Sequence, residues 1–208
     1  MRQAFGIRSL LVICGGALGA FAWSQSSTPH TAPVSHATNP APDLIHQMVG
    51  VWDVRQQMWS GQNTVPLNLP DAIAHRSLVG ESILEERMNL SPDSKSDPFT
   101  RIAYFDYNQV TSQYEYFSVD TRAPQMMNER SFEAGPYSGA EQQGPIVLWG
   151  GMFVAPKWGD FTNVAFRYRL VVGPILQNRQ VVQLYLTPVT GNSFKEFLAF
   201  EYVYSRKP

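Results

Sequence analysis

The chain has 208 residues, of which 44% are apolar and 16% charged, with 16 basic and 17 acidic side chains for a net charge of −1. That composition suits one globular domain with additions at its ends, and it excludes a cationic field for nucleic acid or anionic lipid. A single cysteine, Cys14, excludes an internal disulfide, so a domain of this size must be stabilised by its core.

Arg2 and Arg8 precede a nearly uncharged run from Ser9 to Ala22. A basic start, a short apolar run and small residues after it predict a secretory signal peptide. Ala20-Phe21-Ala22 offers cleavage before Trp23; Ala22-Trp23-Ser24 offers it before Gln25 and is preferred, giving a leader over residues 1–24. The rival is an uncleaved membrane anchor, for which the run is short. Cys14 lies inside the leader, where Ile13 is too large for a lipoprotein box. Removal of the leader takes away two arginines and no acid, leaving 14 basic and 17 acidic residues, or −3. The expected location is periplasmic or secreted, with no membrane attachment after cleavage.

Residues 25–42 are rich in Ser, Thr, Pro, Ala and His and predict a flexible tether. His30 and His36 lie in it as isolated residues. Asp43 is a good N-cap for Leu44-Ile45-His46-Gln47-Met48, in which Leu44, Ile45 and Met48 share a face. A short helix closing one end of the domain is expected there, with His46 off the apolar face.

From Val49 onward no long helical period occurs. Segments of strand character fall at roughly 50–60, 71–79, 82–89, 99–107, 113–120, 125–133, 145–154, 162–172, 179–187 and 194–205, separated by Pro, Gly and Asn turn residues. Without crossover helices the strands must form an antiparallel meander, and closing the meander removes its bare edges. The fold class is therefore all-β: a closed antiparallel barrel of about ten strands with a short N-terminal helix, spanning residues 43–208. A two-sheet sandwich is the competitor. The last strand is apolar on both sides, with Phe194, Leu198, Phe200, Tyr202 and Tyr204 against Phe197, Ala199 and Val203, more than a half-exposed sheet requires.

Gly50-Val51-Trp52, at the start of the first strand after a short helix, and the chain end Phe200-Glu201-Tyr202-Val203-Tyr204-Ser205-Arg206 together resemble the calycin barrels, the lipocalins and fatty-acid-binding proteins. The lipocalin resemblance implies that Trp52 packs under Arg206 as a structural closure. Leu78-Val79-Gly80-Glu81-Ser82-Ile83-Leu84-Glu85-Glu86, Ile102-Ala103-Tyr104-Phe105-Asp106 with Tyr114, Phe117-Ser118-Val119-Asp120-Thr121 and Glu201 to Arg206 resemble the motifs of a bacterial calycin-like family, domain of unknown function fifteen-seventy-nine. Val79 stands where that family has a glycine, Phe105 separates its Tyr-Asp pair, and Phe117 replaces its Trp. The resemblance spans about Leu44 to Arg206 and implies an architecture rather than a chemistry.

Neighbouring strand residues point to opposite faces, so Glu85 and Glu86 cannot form a carboxylate pair. Either Glu86 faces inward beside Leu84 and Met88, or Glu85 and Arg87 do. An inward Glu86 either orients a ligand or pairs with an arginine from a neighbouring strand. Tyr114, Tyr116, Ser118 and Asp120 share one face of their strand. Tyrosines there either stabilise the sheet or line a site for an amphipathic ligand. Arg167 and Arg169 oppose Val164, Phe166, Tyr168 and Leu170, which predicts that the arginines lie outside. His75, the one histidine within a strand, is a weak candidate for a haem ligand and is otherwise a surface or core histidine.

No zinc-ligand spacing, phosphate loop or nucleophile elbow is present, and no cofactor or metal is expected. The sequence points to an interior site for a small hydrophobic or amphipathic molecule, with Glu86, Tyr104, Tyr116, Tyr168 and Tyr202 as its lining and no catalytic residue assigned. One alternative is an acid/base enzyme in the same cavity, which requires an inward carboxyl with a raised pKa. The other is a barrel whose core is filled. The oligomeric state is left open.

Overall fold

The computed structural model describes residues 40–130, 144–189 and 195–208, with backbone alone for 40–43 and 124–130. They fall within one compact unit, His36–Pro208. The expected leader and most of the tether lie outside the described residues.

One helix, α1 (Pro40–Met48), precedes the strands β1 (Gly50–Met58), β2 (Leu67–Val79), β3 (Ile83–Leu90), β4 (Thr100–Asn108) and β5 (Gln113–Asp120). Then come β6 (Ala123–Arg130), β7 (Ile146–Trp158), β8 (Phe161–Val172), β9 (Arg179–Pro188) and β10 (Phe197–Arg206). The helix starts earlier than expected because Pro40 and Pro42 fall in its first turn, where a missing N–H costs nothing. Its inward residues Ile45 and Met48 are buried against the barrel.

Every strand pairs antiparallel with its sequence neighbours, and β1 pairs with β10, in the order β1-β10-β9-β8-β7-β6-β5-β4-β3-β2. Nine of these interfaces are ladders of six or more residue pairs. The remaining one, β6 with β7, has only Glu129↔Gly150 and Arg130↔Trp149. The barrel is therefore nearly closed rather than sealed, a correction to the full closure expected. Around the rest of the circumference edge pairing is satisfied, which is what favours a barrel over a sandwich.

Two strands run through prolines that were expected to end them. Pro70 lies at the register shift between Val54 and Gln56 of β1, where the ladder is already broken. Pro156 lies on β7 above its short seam with β6, where no ladder bond on that side is lost.

Side chains alternate inward and outward, but bulges change the phase. On β10 a register shift between Leu198 and Phe200 puts Phe197 and Ala199 on the same inner side as Tyr202 and Tyr204. The sequence alternation had assigned Phe197 and Ala199 to the opposite face. Leu198 and Val203 stay on the outside, half-buried. On β7 a second shift falls between Trp149 and Met152. Gly150 lies there because a Cβ at that position would overlap the buried ring of Tyr168 on the paired strand β8. The ring covers the glycine backbone and fills the volume that a side chain would have used.

The helix-bearing end of the barrel is closed by Trp52, which is 0% exposed. Its Nε1 donates to the Met48 carbonyl at 3.0 Å, and the Arg206 guanidinium lies 4.2 Å from its ring centroid. Arg206 also donates through Nη1 to the Val49 carbonyl at 2.5 Å and through Nη2 to the Gln47 carbonyl. It thereby caps the helix C-terminus, where a cation is favoured. A Cβ on Gly50, whose φ is +138°, would stand 2.7 Å from Arg206 Nη1, so the glycine leaves the approach open. The Trp52–Arg206 closure implied by the lipocalin resemblance is thus present in the geometry.

Candidate functional site

The barrel interior has two zones. The lower zone, above Trp52, is a packed polar network. The upper zone, at the far end, holds a cavity.

Glu86 anchors the network. It faces inward from β3 between Leu84 and Met88 and is 4% exposed. Its two strand neighbours each bring an arginine to it, because the inward registers pair Arg76 of β2 with Glu86 and place Arg101 of β4 one inward step away. Arg76 Nε donates to Glu86 Oε2 at 2.8 Å, and Arg101 Nη1 donates to Oε1 at 2.5 Å. Tyr204 donates its hydroxyl to Oε1 at 3.3 Å. Arg76 Nη1 also donates to Gln180 Oε1 at 2.7 Å, and its guanidinium stacks 3.9 Å from the Tyr204 ring. Arg101 Nη2 donates to the Tyr116 hydroxyl, and its guanidinium lies 5.3 Å from the Tyr202 ring centroid. The sequence left open whether Glu86 or Glu85 and Arg87 face inward; Glu86 is the one inside, paired with an arginine from each neighbouring strand.

Burial by itself would raise the pKa of Glu86. The Arg76 and Arg101 guanidiniums and the hydrogen bonds from Arg76 and Tyr204 outweigh it and hold the carboxyl below its ordinary value of 4.5. Burial pushes the pKa of Tyr204 and Tyr202 upward, so both hydroxyls stay protonated. A folded pKa below the unfolded one means that stability from Glu86 is complete above about pH 4.5 and is lost as pH falls through the folded value. Urea unfolding measured from pH 7 to pH 3 is expected to show this acid loss. In Glu86→Gln the slope below pH 4.5 should be shallower, and an unchanged slope would show that other carboxylates carry the acid sensitivity.

A void of about 20 Å³ lies beside the network, bordered by Met48, Arg76, Glu86, Tyr116 and Tyr204. It has room for about one water molecule and no ligand. The upper cavity has a volume of about 330 Å³. Its wall is apolar: Met58 from β1, Leu69 from β2, Phe153 and Trp158 from β7, Leu184 and Leu186 from β9, and Phe200 and Tyr202 from β10. Arg101, Ser118, Asp120 and Arg122 make its polar side. Arg122 is held by Asp120 through two hydrogen bonds, of 3.0 and 2.6 Å, and by Gln56 Oε1 at 3.1 Å, with its guanidinium over Phe99. Ala123 of β6 also lines the cavity, so its lining spans both sides of the stretch where β6 and β7 are unpaired.

Of the five residues expected to line a site, Tyr202 borders the cavity, and Glu86 and Tyr116 lie in the network below it. Tyr168 is buried but packs against Gly150 and Phe153 instead of lining the cavity. Tyr104 is misplaced. The inward residues of β4 are Arg101, Ala103 and Phe105, so Tyr104 faces outward, stacked on Phe117 and donating to Glu85 at 3.0 Å. Arg167 and Arg169 are outside, as the alternation required, and Arg169 pairs with Glu196 at 2.5 Å. His75 is exposed on the outer face of β2 and cannot reach the interior, which removes the haem ligand considered for it. Among the described residues no group of three His, Cys, Asp or Glu side chains comes together.

Sequence reasoning missed Arg76 and Arg101. Each sits between small or apolar inward residues, Ala74 and Leu78 around Arg76 and Ala103 after Arg101. A lone arginine on an apolar strand face was the available signal. No known protein family's sequence profile matches the chain, and no curated protein matches it by sequence.

Proposed function

We propose that the chain is an exported, lipocalin-like barrel that binds a small hydrophobic or amphipathic molecule in its upper cavity. The observation that carries this reading is the 330 Å³ volume with a nearly continuous apolar wall and polar groups confined to one side. That is the design of small-ligand sites, in which burial supplies affinity and a few polar groups set orientation, and the volume falls at the small end of their range of roughly 300–1,000 Å³. The Trp52–Arg206 closure and the strand order support membership in the calycin-like group, and the signal-peptide pattern of the sequence over residues 1–24 supports export.

The acid/base enzyme alternative requires an inward carboxyl with a raised pKa. Glu86 has the opposite perturbation, held ionised by two arginines, which favours binding over proton transfer at this residue. The filled-barrel alternative describes the lower zone, where only a water-sized void remains, and not the upper one.

N-phenyl-1-naphthylamine, a neutral apolar fluorophore, tests the reading. It is expected to titrate the purified domain at one site with a saturable rise in fluorescence. Leu184→Trp, which fills the cavity from β9, should remove the saturable signal while far-ultraviolet circular dichroism stays that of the parent. Absence of saturable binding to the folded parent protein would overturn the proposal.

A further inference from the structure

The upper mouth of the barrel is closed in two different ways. On the side of β1, β7, β8 and β10 it is sealed by packed rings and backbone contacts. The Trp59 N–H donates to the Ala199 carbonyl at 2.9 Å, and Trp158 Nε1 donates to the Trp59 carbonyl at 3.1 Å. Trp158 meets Phe200 edge-on at 5.5 Å, and Phe161 stacks on Phe197 at 6.0 Å. A Cβ on Gly159, whose φ is +53°, would stand 2.3 Å from the Ser60 carbonyl oxygen, so the β7–β8 turn lies directly on the loop after β1. Opening this side would unpack several large rings at once.

The other side is crossed by a side chain. Arg122 lies in the turn from β5 to β6 and lines the cavity, while its side chain is 31% exposed, so it borders both the interior and solvent. Asp120 accepts from its Nε at 3.0 Å and from its Nη2 at 2.6 Å. This two-point grip turns Nη1 towards Gln56 of β1, which accepts at 3.1 Å. β1 and β5 are not neighbours, since β2, β3 and β4 separate them in the barrel order. The Arg122–Gln56 bond therefore runs across the mouth rather than along its rim. Gln56 is 2% exposed and is itself fixed, because its Nε2 donates to the Pro70 carbonyl at 2.8 Å. Phe99, buried just before β4, has the Arg122 guanidinium 3.7 Å from its ring centroid.

Resting on the cavity-binding reading, we infer that Arg122 is the latch of the cavity: a ligand enters and leaves past its guanidinium when the bond to Gln56 breaks. Asp120 stands two residues away on the same turn, so the ion pair can persist through a swing of the side chain. What opening breaks is the hydrogen bond to Gln56 and the contact with the Phe99 ring. Each is a single interaction at a partly exposed position and is worth much less than the packed rings opposite. The latch is therefore the part of the mouth that moves most easily, and it lies where the polar side of the cavity meets solvent. A latch of this kind slows exchange in both directions while it is shut.

Stopped-flow mixing with N-phenyl-1-naphthylamine measures both exchange rates. Gln56→Met keeps the bulk of the side chain and removes the acceptor, and Gln56 does not line the cavity, so the ligand keeps its contacts. Association and dissociation are both expected to accelerate about 3- to 10-fold, the range for one hydrogen bond, with affinity unchanged within about twofold. Arg122→Ala should raise the association rate at least as much. The double variant should associate no faster than Arg122→Ala alone, because both substitutions remove the same bond. Association at the parent rate in both single variants overturns the latch, leaves the cavity reading intact and sends the ligand by another route, such as the unpaired stretch of β6 and β7. A change confined to dissociation makes Arg122 a ligand contact and overturns the latch as well. Absence of saturable binding to the folded parent protein overturns both readings. Arg122 is partly exposed, so its variant reports on the latch even if Gln56→Met does not fold.

Discussion

Glu86→Ala is expected to lower the unfolding free energy by about 3–5 kcal/mol, the range for removing one partner from a buried ion pair. The size of the effect comes from what is left behind. Arg76 and Arg101, at 5% and 6% exposure, would lose their shared carboxylate and remain buried as two like charges. Tyr204 would lose the acceptor for its hydroxyl. Urea unfolding at pH 7 measures the loss. The same reasoning predicts the outcome of removing the whole network. Arg76→Met, Glu86→Leu and Arg101→Met combined should unfold within about 1–2 kcal/mol of the parent protein, because a packed apolar trio replaces desolvated charges. The triple variant would then be folded. A triple variant as unstable as Glu86→Ala would show that packing, rather than stranded charge, sets the cost. The pair of results separates the cost of stranded charge from what the network contributes to folding, which an apolar core can also supply.

Trp52→Ala is expected to cost about 3–5 kcal/mol, as buried aromatic truncations do. Trp52 is fully buried, and its ring meets Tyr204 edge-on at 6.4 Å and lies under Arg206 at 4.2 Å, with Arg76 at 5.3 Å. Truncation opens a cavity at the closed end, removes the surface on which Arg206 lies, and leaves the Met48 carbonyl without its donor. Trp52→Phe keeps most of the ring but not the Nε1 donor, so it should cost about 1 kcal/mol, the net value of one hydrogen bond, plus a small packing loss. Chemical denaturation of the two variants checks the order. A Trp52→Phe loss as large as that of Trp52→Ala would place the closure in the hydrogen bond rather than in the packed ring.

The two ends of the barrel divide the work. The lower end is closed by an aromatic plug, a capping arginine and a buried ion network, all of which favour rigidity. The upper end has an apolar cavity and the stretch of β6 and β7 that is not paired. Stability is concentrated away from the cavity, so the proposed binding zone can carry unfilled volume that a smaller core could not sustain.

Much of this arrangement was legible in the sequence. Turn residues at regular spacing marked the strands, and the absence of crossover helices required antiparallel neighbours. Strict alternation put Glu85 and Glu86 on opposite faces, grouped Tyr114, Tyr116, Ser118 and Asp120 on one face, and predicted Arg167 and Arg169 outside. These features depend on local backbone geometry, with its period of two, which a sequence carries residue by residue. Gly50, Trp52 and Arg206 were likewise marked by their types and their places at the two ends of the chain.

Other features were decided only by the tertiary structure. Tyr104 and the last strand were misassigned for two different physical reasons. On β4 the inward face is fixed by its ladders with β3 and β5, which place Arg101, Ala103 and Phe105 inside and leave Tyr104 out. On β10 a bulge changes the phase in mid-strand, and the sequence has no mark for it. The short β6–β7 seam depends on where two ladders end, not on the composition of either strand. The assembly of Arg76, Glu86 and Arg101 depends on register between three strands, since a one-residue slip in any of them would turn its charge outward. The sequence by itself determined an antiparallel all-β domain whose strands alternate and whose acids Glu85 and Glu86 must lie on opposite faces. Only the packing of distant strands determined which acid faces inward, that two arginines hold it, and that one of them borders the upper cavity.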